Sequence, residues 1–421
     1  MKKFLSLLLV LALTMSFASF AMAEEKTVIQ FWHSMSGANG EALDKMVQSY
    51  NASQDKIEVV ATFQGDYYTS IANAITAIAS GTGPDIIQSG SDQVRLLSDE
   101  EGIVANMFDF LNKEDGVWYE DFLPGFIESY VTNDGKYLSC LPMGCSTPVL
   151  YVNKTILDKA GVAIPTTWDE MEAACAKLVD GGFVKYGFAQ PRDSWYFWMM
   201  IPNYSGQEIF SEDGLTLACR EGGIAAYEFL EGLVKKNYFY PGPATDGGTI
   251  ITQMMQAQEL AMYITSIGSL GGQEKTAAAG GYELAVSGVP GGVINSVPSG
   301  GNSLVILESG KKDASWDFVK YLYTSEDGIA YFDSVAGYLA VTDTIKNTKI
   351  LQNKISNDLL YANAYNFISN VNNKHRITGE SDIATEVMNF MDACFYDQED
   401  VTHQWDILEE GVNAKLAEAN E

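Results

Sequence analysis

The chain alternates two kinds of hydrophobic pattern. KTVIQFW (residues 26–32) is a β-branched and aromatic run of strand length, whereas GEALDKMVQSYN (40–51) sets Leu43, Met46, Val47 and Tyr50 on one face of a helix. KIEVVATFQG reads as a second strand, YYTSIANAITAIASG as a second helix ending at Gly81, and PDIIQSG as a short buried strand. Strand alternating with helix predicts an α/β fold with a parallel sheet. In such a sheet ligands sit at the carboxyl ends of the strands. The loops of interest are therefore HSMSGANG, QGDYY and SGSDQ.

From Leu141 the pattern changes. STPVLYVNKTILDKAG reads as strand, turn and helix, and TTWDEMEAACAKLVDGG as a helix with Thr167 at its cap and Glu170 three residues on. VKYGFAQPRDSWYFWMMI is a strand followed by an aromatic segment, and ELAMYITSIGSLGG a strand running into a Gly/Ser loop. YELAVSGVPGG and GGNSLVILES are strands around a Gly/Pro/Ser-rich return, and the tail from Asp343 is mostly helical. A chain of 421 residues is too long for one compact core and suits two lobes.

Charge and processing signals narrow the classes. Residues 1–23 carry Lys2 and Lys3, an apolar stretch and Ala-Met-Ala before Glu24, the pattern of a cleaved export signal. The formal net charge is −29, and losing Lys2 and Lys3 makes it more negative, which disfavours nucleic acid and anionic membrane as partners. Only four arginines are present, Arg95, Arg192, Arg220 and Arg376, few for a protein built around phosphate. Five scattered cysteines read as buried free thiols rather than a disulfide framework, and no metal-ligand spacing is present.

FWHSMSG, SGTGPDIIQ, STPVLYVNKTILDKAGVAIPTTWDEM, AMYITSIGSLGG, GGNSLVIL and AGYLAVT together resemble the extracellular solute-binding proteins of bacterial ABC importers, carbohydrate-binding family 1. Among these, FWHSM and STPVLYVNK look most like the glycerol-3-phosphate and glycerophosphodiester binders. The resemblance implies a two-lobe periplasmic-binding-protein-like fold of type II that closes by a hinge. It places residues 24–143 and 295–342 in the N-terminal lobe and 144–294 and 343–421 in the C-terminal lobe. It also implies export to a periplasm or cell surface, an ABC permease as partner, a monomer and no cofactor.

A sugar or polyol needs aromatic faces for its C–H surfaces and fixed polar groups for its hydroxyls. Trp32 and His33 enter the first ligand-side loop, and His33 either orients that loop or touches ligand. Tyr67 follows the second strand; its residue pattern alone leaves ligand contact and lobe packing equal, and the resemblance favours contact. The same resemblance implies ligand roles for Ser146, Ser269 and Tyr338. Gly301 offers a backbone N–H or is a plain turn glycine. In Trp195–Trp198, Trp195 and Trp198 share a face if the segment is helical, with Trp195 the expected stacking platform; Trp168, Trp316 and Trp405 read as core.

Departures from the glycerophosphate pattern matter too. Ser91 stands where relatives place a glutamate, with Asp92 one residue on. Ala384 stands where they place an arginine; Arg376, eight residues earlier, or Arg192, beside the aromatic cluster, could take that ligand role, though neither matches the position. These departures favour a neutral sugar over a phosphodiester. A secreted glycoside hydrolase is the rival class, but it needs a facing carboxylate pair, and no recognisable catalytic motif supplies one. SIGSLGG lacks a nucleophile elbow, ESGKKD lacks a phosphate loop, and His33, His375 and His403 are far apart. The expectation is a binding protein, not an enzyme.

Overall fold

A computed structural model describes residues 25–90, 93–98, 102–132, 135–309, 311–367, 371–372 and 380–419. Residues 1–24, Ser91, Asp92 and Arg376 lie outside the described residues.

The first three strands, β1 (Thr27–His33), β2 (Ile57–Phe63) and β3 (Ile86–Gly90), are joined by helices Gly37–Ser53 and Tyr67–Ala79. The first helix buries Leu43, Met46, Val47 and Tyr50, the face its spacing marks. The second starts where the Asp66 carboxylate accepts from the Thr69 N–H at 2.8 Å, making Tyr67 its first residue. β1 lies parallel to both β2 and β3.

β4 (Leu141–Ser146) and β5 (Pro148–Asn153) are one extended run, separated by the buried Thr147, yet they belong to different sheets. The second sheet gains β6 (Tyr186–Gln190), β7 (Phe239–Pro241), β8 (Leu260–Ser266) and β9 (Leu284–Ser287), in the order β7-β6-β8-β5-β9. The chain returns through the short β10 (Val297–Pro298) into β11 (Gly300–Ile306), which lies antiparallel between β3 and β4. The first sheet is then β2-β1-β3-β11-β4, while β12 (Val371–Asn372) pairs with β10. A third strand-like contact, Cys145 with Leu339, sits beside the first crossing.

Every residue of β3, β4 and β5 is buried, as strands covered on both faces must be. Ile29, Phe31, Leu304 and Phe318 belong to the core around the first sheet; Phe188, Phe197, Trp168 and Trp405 belong to the second. The helix Trp168–Asp180 begins as its motif predicts: Thr167 Oγ1 accepts from the Glu170 N–H, and Glu170 reaches back to the N–H and hydroxyl of Thr166. After Thr342, helix Lys349–Asn357 packs on Ile329–Ala336 and helix Leu359–Tyr365 on β9, so this stretch touches both halves. Glu380–Phe395 and Val401–Ala419 pack on each other and on Arg220–Lys235 within the second core. All five cysteines are buried free thiols.

Candidate functional site

A cleft of about 280 Å³ opens between the two sheets. Its first wall is the edge where β3 and β4 end and the antiparallel β11 begins, contributing Gly90, Ser146, Gly300 and Gly301. Its second wall comes from the end of β8, through Ser266, and from the loop and helix after β6. The strand ends thus converge from both sheets on one space, as the switch-point rule for open α/β sheets requires.

Two phenols close the first wall. Tyr67 opens its helix, and Tyr338 follows Gly337 at the end of helix Ile329–Ala336, stacked on Phe332 at 5.7 Å between ring centroids. The Tyr67 and Tyr338 side chains interact with each other across this wall. Burial pushes both phenols above their ordinary range, so both remain protonated at physiological pH.

The second wall is set by the cap of helix Ser194–Ser205. Asp193 accepts from the Trp195 N–H at 2.7 Å, and the Trp195 indole Nε1–H donates to the Ser299 carbonyl at 3.0 Å. Tyr196 hydrogen-bonds Thr265 Oγ1 at 3.4 Å. The neighbouring Arg192 carries the cleft's positive charge, but its guanidinium is gripped by Asp392. Nη2 meets Oδ2 at 2.7 Å, Nε meets Oδ1, and Nη1 rests on Met388 Sδ.

Of the residues singled out from sequence, Tyr67, Ser146, Trp195, Gly301 and Tyr338 line this cleft together. Four others sit elsewhere. Trp32 is half-buried against the first core, and His33 is 4% exposed between the rings of Phe31 and Phe63. The His33 Nδ1 accepts from the Met35 N–H at 3.3 Å, and burial lowers its pKa, so the neutral ring orients the loop after β1. Trp198 packs on Phe197 and Phe210 in the second core: three residues along a helix is 60° from the same direction, enough to turn this ring inward. Ser269 immediately precedes helix Leu270–Gly280 without a side-chain capping bond and does not line the cleft, whereas Ser266, the last residue of β8, does. The Ala384 side chain is buried on helix Glu380–Phe395.

Tyr68, Gln93, Ser266 and Gly300 line the cleft without having been singled out. The strand-end rule could have found Ser266, the last residue of β8, whereas Gly300 opens the antiparallel β11. Gln93 closes the third strand-end loop, SGSDQ, but gives no signal of its own within it. Among the described residues no group of three or more His, Cys, Asp or Glu side chains could hold a metal. No described helix is long and apolar enough to cross a membrane.

Comparison with known proteins fits this geometry. Residues 36–329 match the family model for bacterial extracellular solute-binding protein. The sn-glycerol-3-phosphate-binding periplasmic protein UgpB of Agrobacterium fabrum is 30% identical over 362 residues, covering 81% of this chain and 80% of that protein. Among solved structures, the GacH receptor of Streptomyces glaucescens, described unliganded and with acarbose, superposes with a TM-score of 0.83 at 18% identity, covering 94% of this chain and 99% of that one. UgpB of Mycobacterium tuberculosis in complex with glycerophosphocholine does so at 0.80 and 19%, covering 94% and 100%. At such identities these structures speak for the fold, while the family model and the 30% relative speak for descent. The chain belongs to the bacterial extracellular solute-binding proteins.

Proposed function

We propose that this chain is the ligand-capturing component of an ABC importer, exported after loss of residues 1–23. In this reading it takes a sugar, oligosaccharide or glycerol-phosphate-type ligand into the cleft between its lobes and hands it to a membrane permease pair. The N-terminal lobe is residues 24–143 and 295–342, and the C-terminal lobe residues 144–294 and 343–421. They hinge where β4 passes into β5 and β10 into β11, and the protein works as a monomer without a cofactor. Closure would bury the ligand between Trp195 on one side and Tyr67 and Tyr338 on the other, a hinge motion of a common kind.

The observation that carries this reading is that one cleft draws aromatic rings and hydroxyls from both sheets at the crossing strands. Rings suit the C–H faces of a sugar, and the Ser146, Ser266 and tyrosine hydroxyls suit its O–H groups, since a buried unpaired hydroxyl costs about 1–3 kcal/mol. The ligands named for similar proteins, glycerol 3-phosphate, acarbose and glycerophosphocholine, are all polyhydroxylated or glycerol-based. Ser146 and the Gly301 backbone would serve the ligand from the hinge.

A thermal-shift series over sugars, oligosaccharides and glycerol phosphates tests the proposal. Saturation at about 100 times Kd should add about 2.7 kcal/mol of stability, and mass spectrometry should recover the ligand unchanged. Conversion of the ligand would overturn the binding-protein reading in favour of a carbohydrate-active enzyme.

A further inference from the structure

The cleft handles its own charges in an unusual way for a protein similar to phosphate-ester binders. Among the described residues lining it, Arg192 and Asp193 are the charged groups, and each is already bonded within the protein. Asp193 is spent on the N-terminus of helix Ser194–Ser205. Arg192 presents both Nε and Nη2 to the two oxygens of Asp392, the fork-on-carboxylate geometry that a phosphate would otherwise occupy. Nη1 is turned to Met388 Sδ, so three of the five guanidinium N–H donors go to helix Glu380–Phe395. The pair is only partly exposed, 17% and 34% for the two side chains, so water screens it incompletely.

An anion brought beside such a pair meets a guanidinium already neutralised and a carboxylate that repels it. What the described walls otherwise offer is uncharged: phenol, hydroxyl and amide groups from Tyr67, Tyr338, Ser146, Ser266 and Gln93. We propose that Asp392, which is not itself among the residues lining the cleft, sets ligand charge by locking Arg192, so that the site takes an uncharged polyhydroxylated ligand and rejects phosphate esters. This deepens the functional reading above and rests on it. Asp392 is thus a specificity-determining residue that acts through Arg192.

The test compares the wild-type chain with Asp392→Asn and Asp392→Ala. Each is titrated calorimetrically with maltose, maltotriose, glycerol 3-phosphate, glycerophosphocholine and inorganic phosphate. Wild type should bind a neutral sugar and show no saturable response to the phosphate-bearing probes. Both variants should keep the neutral-sugar response, which certifies the fold, and gain about tenfold or more in apparent affinity for glycerol 3-phosphate. That gain should fade as salt is raised and vanish when Arg192→Gln is added. Wild-type binding of glycerol 3-phosphate or glycerophosphocholine more tightly than any neutral sugar would overturn the proposal while leaving the binding-protein reading intact. So would variants whose phosphate response matches wild type. Silence of wild type toward every probe of both classes would overturn the functional reading and this inference with it.

Discussion

The indole N–H of Trp195 is fixed by the carbonyl of Ser299, 3.0 Å away, one residue before the strand that carries the chain back into the first sheet. This bond ties the aromatic wall of the second lobe to a crossing segment. It holds the ring where the lobes meet, and it fixes the ring plane before any ligand arrives. Preorganisation of this kind raises affinity by reducing what must be ordered on binding.

Trp195→Ala should therefore weaken ligand binding by about 1–3 kcal/mol, the scale of truncating an anchor residue, while leaving the fold intact. Trp195→Phe should keep part of the ring surface but lose the tether, and fall between the two. Isothermal titration with the identified ligand, alongside circular dichroism, checks both. Unchanged affinity in Trp195→Ala would remove this ring from the site.

Gly300 offers a finer test of the same relationship. A Cβ at this position would lie 2.6 Å from Trp195 Cζ2 and 3.2 Å from its Nε1, so Gly300→Ala pushes on a side chain rather than on backbone. The ring should swing off Ser299 and the fold should survive. Affinity should drop in the wild-type background but not in Trp195→Ala, because a residue acting only through Trp195 has nothing left to disturb. A drop of equal size in both backgrounds would mean that Gly300 acts on the ligand directly.

Gly301 should behave differently. Its φ is +132°, and a Cβ would fall 1.9 Å from the Gly144 carbonyl oxygen, where neither backbone can yield. Gly301→Ala should cost at least about 1–3 kcal/mol of stability through strain at the β4–β11 crossing. The readout is the urea midpoint of the free protein, and a wild-type midpoint would show that the crossing relaxes.

How much of this was legible beforehand depended on the kind of signal. The helix Gly37–Ser53 and the buried strands announced themselves through periodicity, because burial of one face leaves a repeating mark on the chain. Tyr67, Ser146, Gly301 and Tyr338 were placed by loop position and family likeness and Trp195 by its aromatic cluster, and they meet in one cleft. Ser266 was passed over because the family likeness pointed to Ser269, and a Gly/Ser loop does not reveal where the strand stops. Trp198 was ambiguous for a rotational reason, since the pattern of an all-apolar helix does not say which face meets the core. The Arg192–Asp392 pair could not have been read at all: its members are 200 residues apart, and only the packing of helix Glu380–Phe395 brings them together.

Asn203 illustrates how a single buried amide holds the returning chain. Its Oδ1 accepts from the Trp168 indole N–H at 2.9 Å and from the Gly292 N–H at 3.1 Å, and its Nδ2 donates to the Ser296 carbonyl at 3.2 Å. The residue is fully buried. Asn203→Leu should remove these three hydrogen bonds, at about 1–3 kcal/mol for each buried group left unsatisfied, before relaxation. The melting temperature should fall by several degrees or more, and proteolysis should begin near residues 290–298. A melting temperature within a degree of wild type would mean that the return segment is held by other contacts.

Asp333 supplies a pH test of the folded core. It is fully buried on helix Ile329–Ala336, and neither carboxyl oxygen has a hydrogen-bond partner among the described residues. Burial pushes its pKa well above the ordinary carboxyl value, so the folded protein holds it protonated. The groups it influences are Cys145, Tyr323, Tyr338, Tyr361 and Tyr365, all themselves shifted upward, and none ionises in the acid range. In the unfolded chain the same carboxyl ionises near pH 4. The folded state therefore binds the extra proton, and stability is fullest below pH 4 and declines as pH rises, by up to about 1.4 kcal/mol per unit for one such group. Asp333→Asn keeps the shape and removes the proton. Its stability advantage over wild type should widen steadily from pH 4 to pH 7 in urea titrations. Parallel pH profiles for the two proteins would show that Asp333 ionises in the folded state as readily as in the unfolded one.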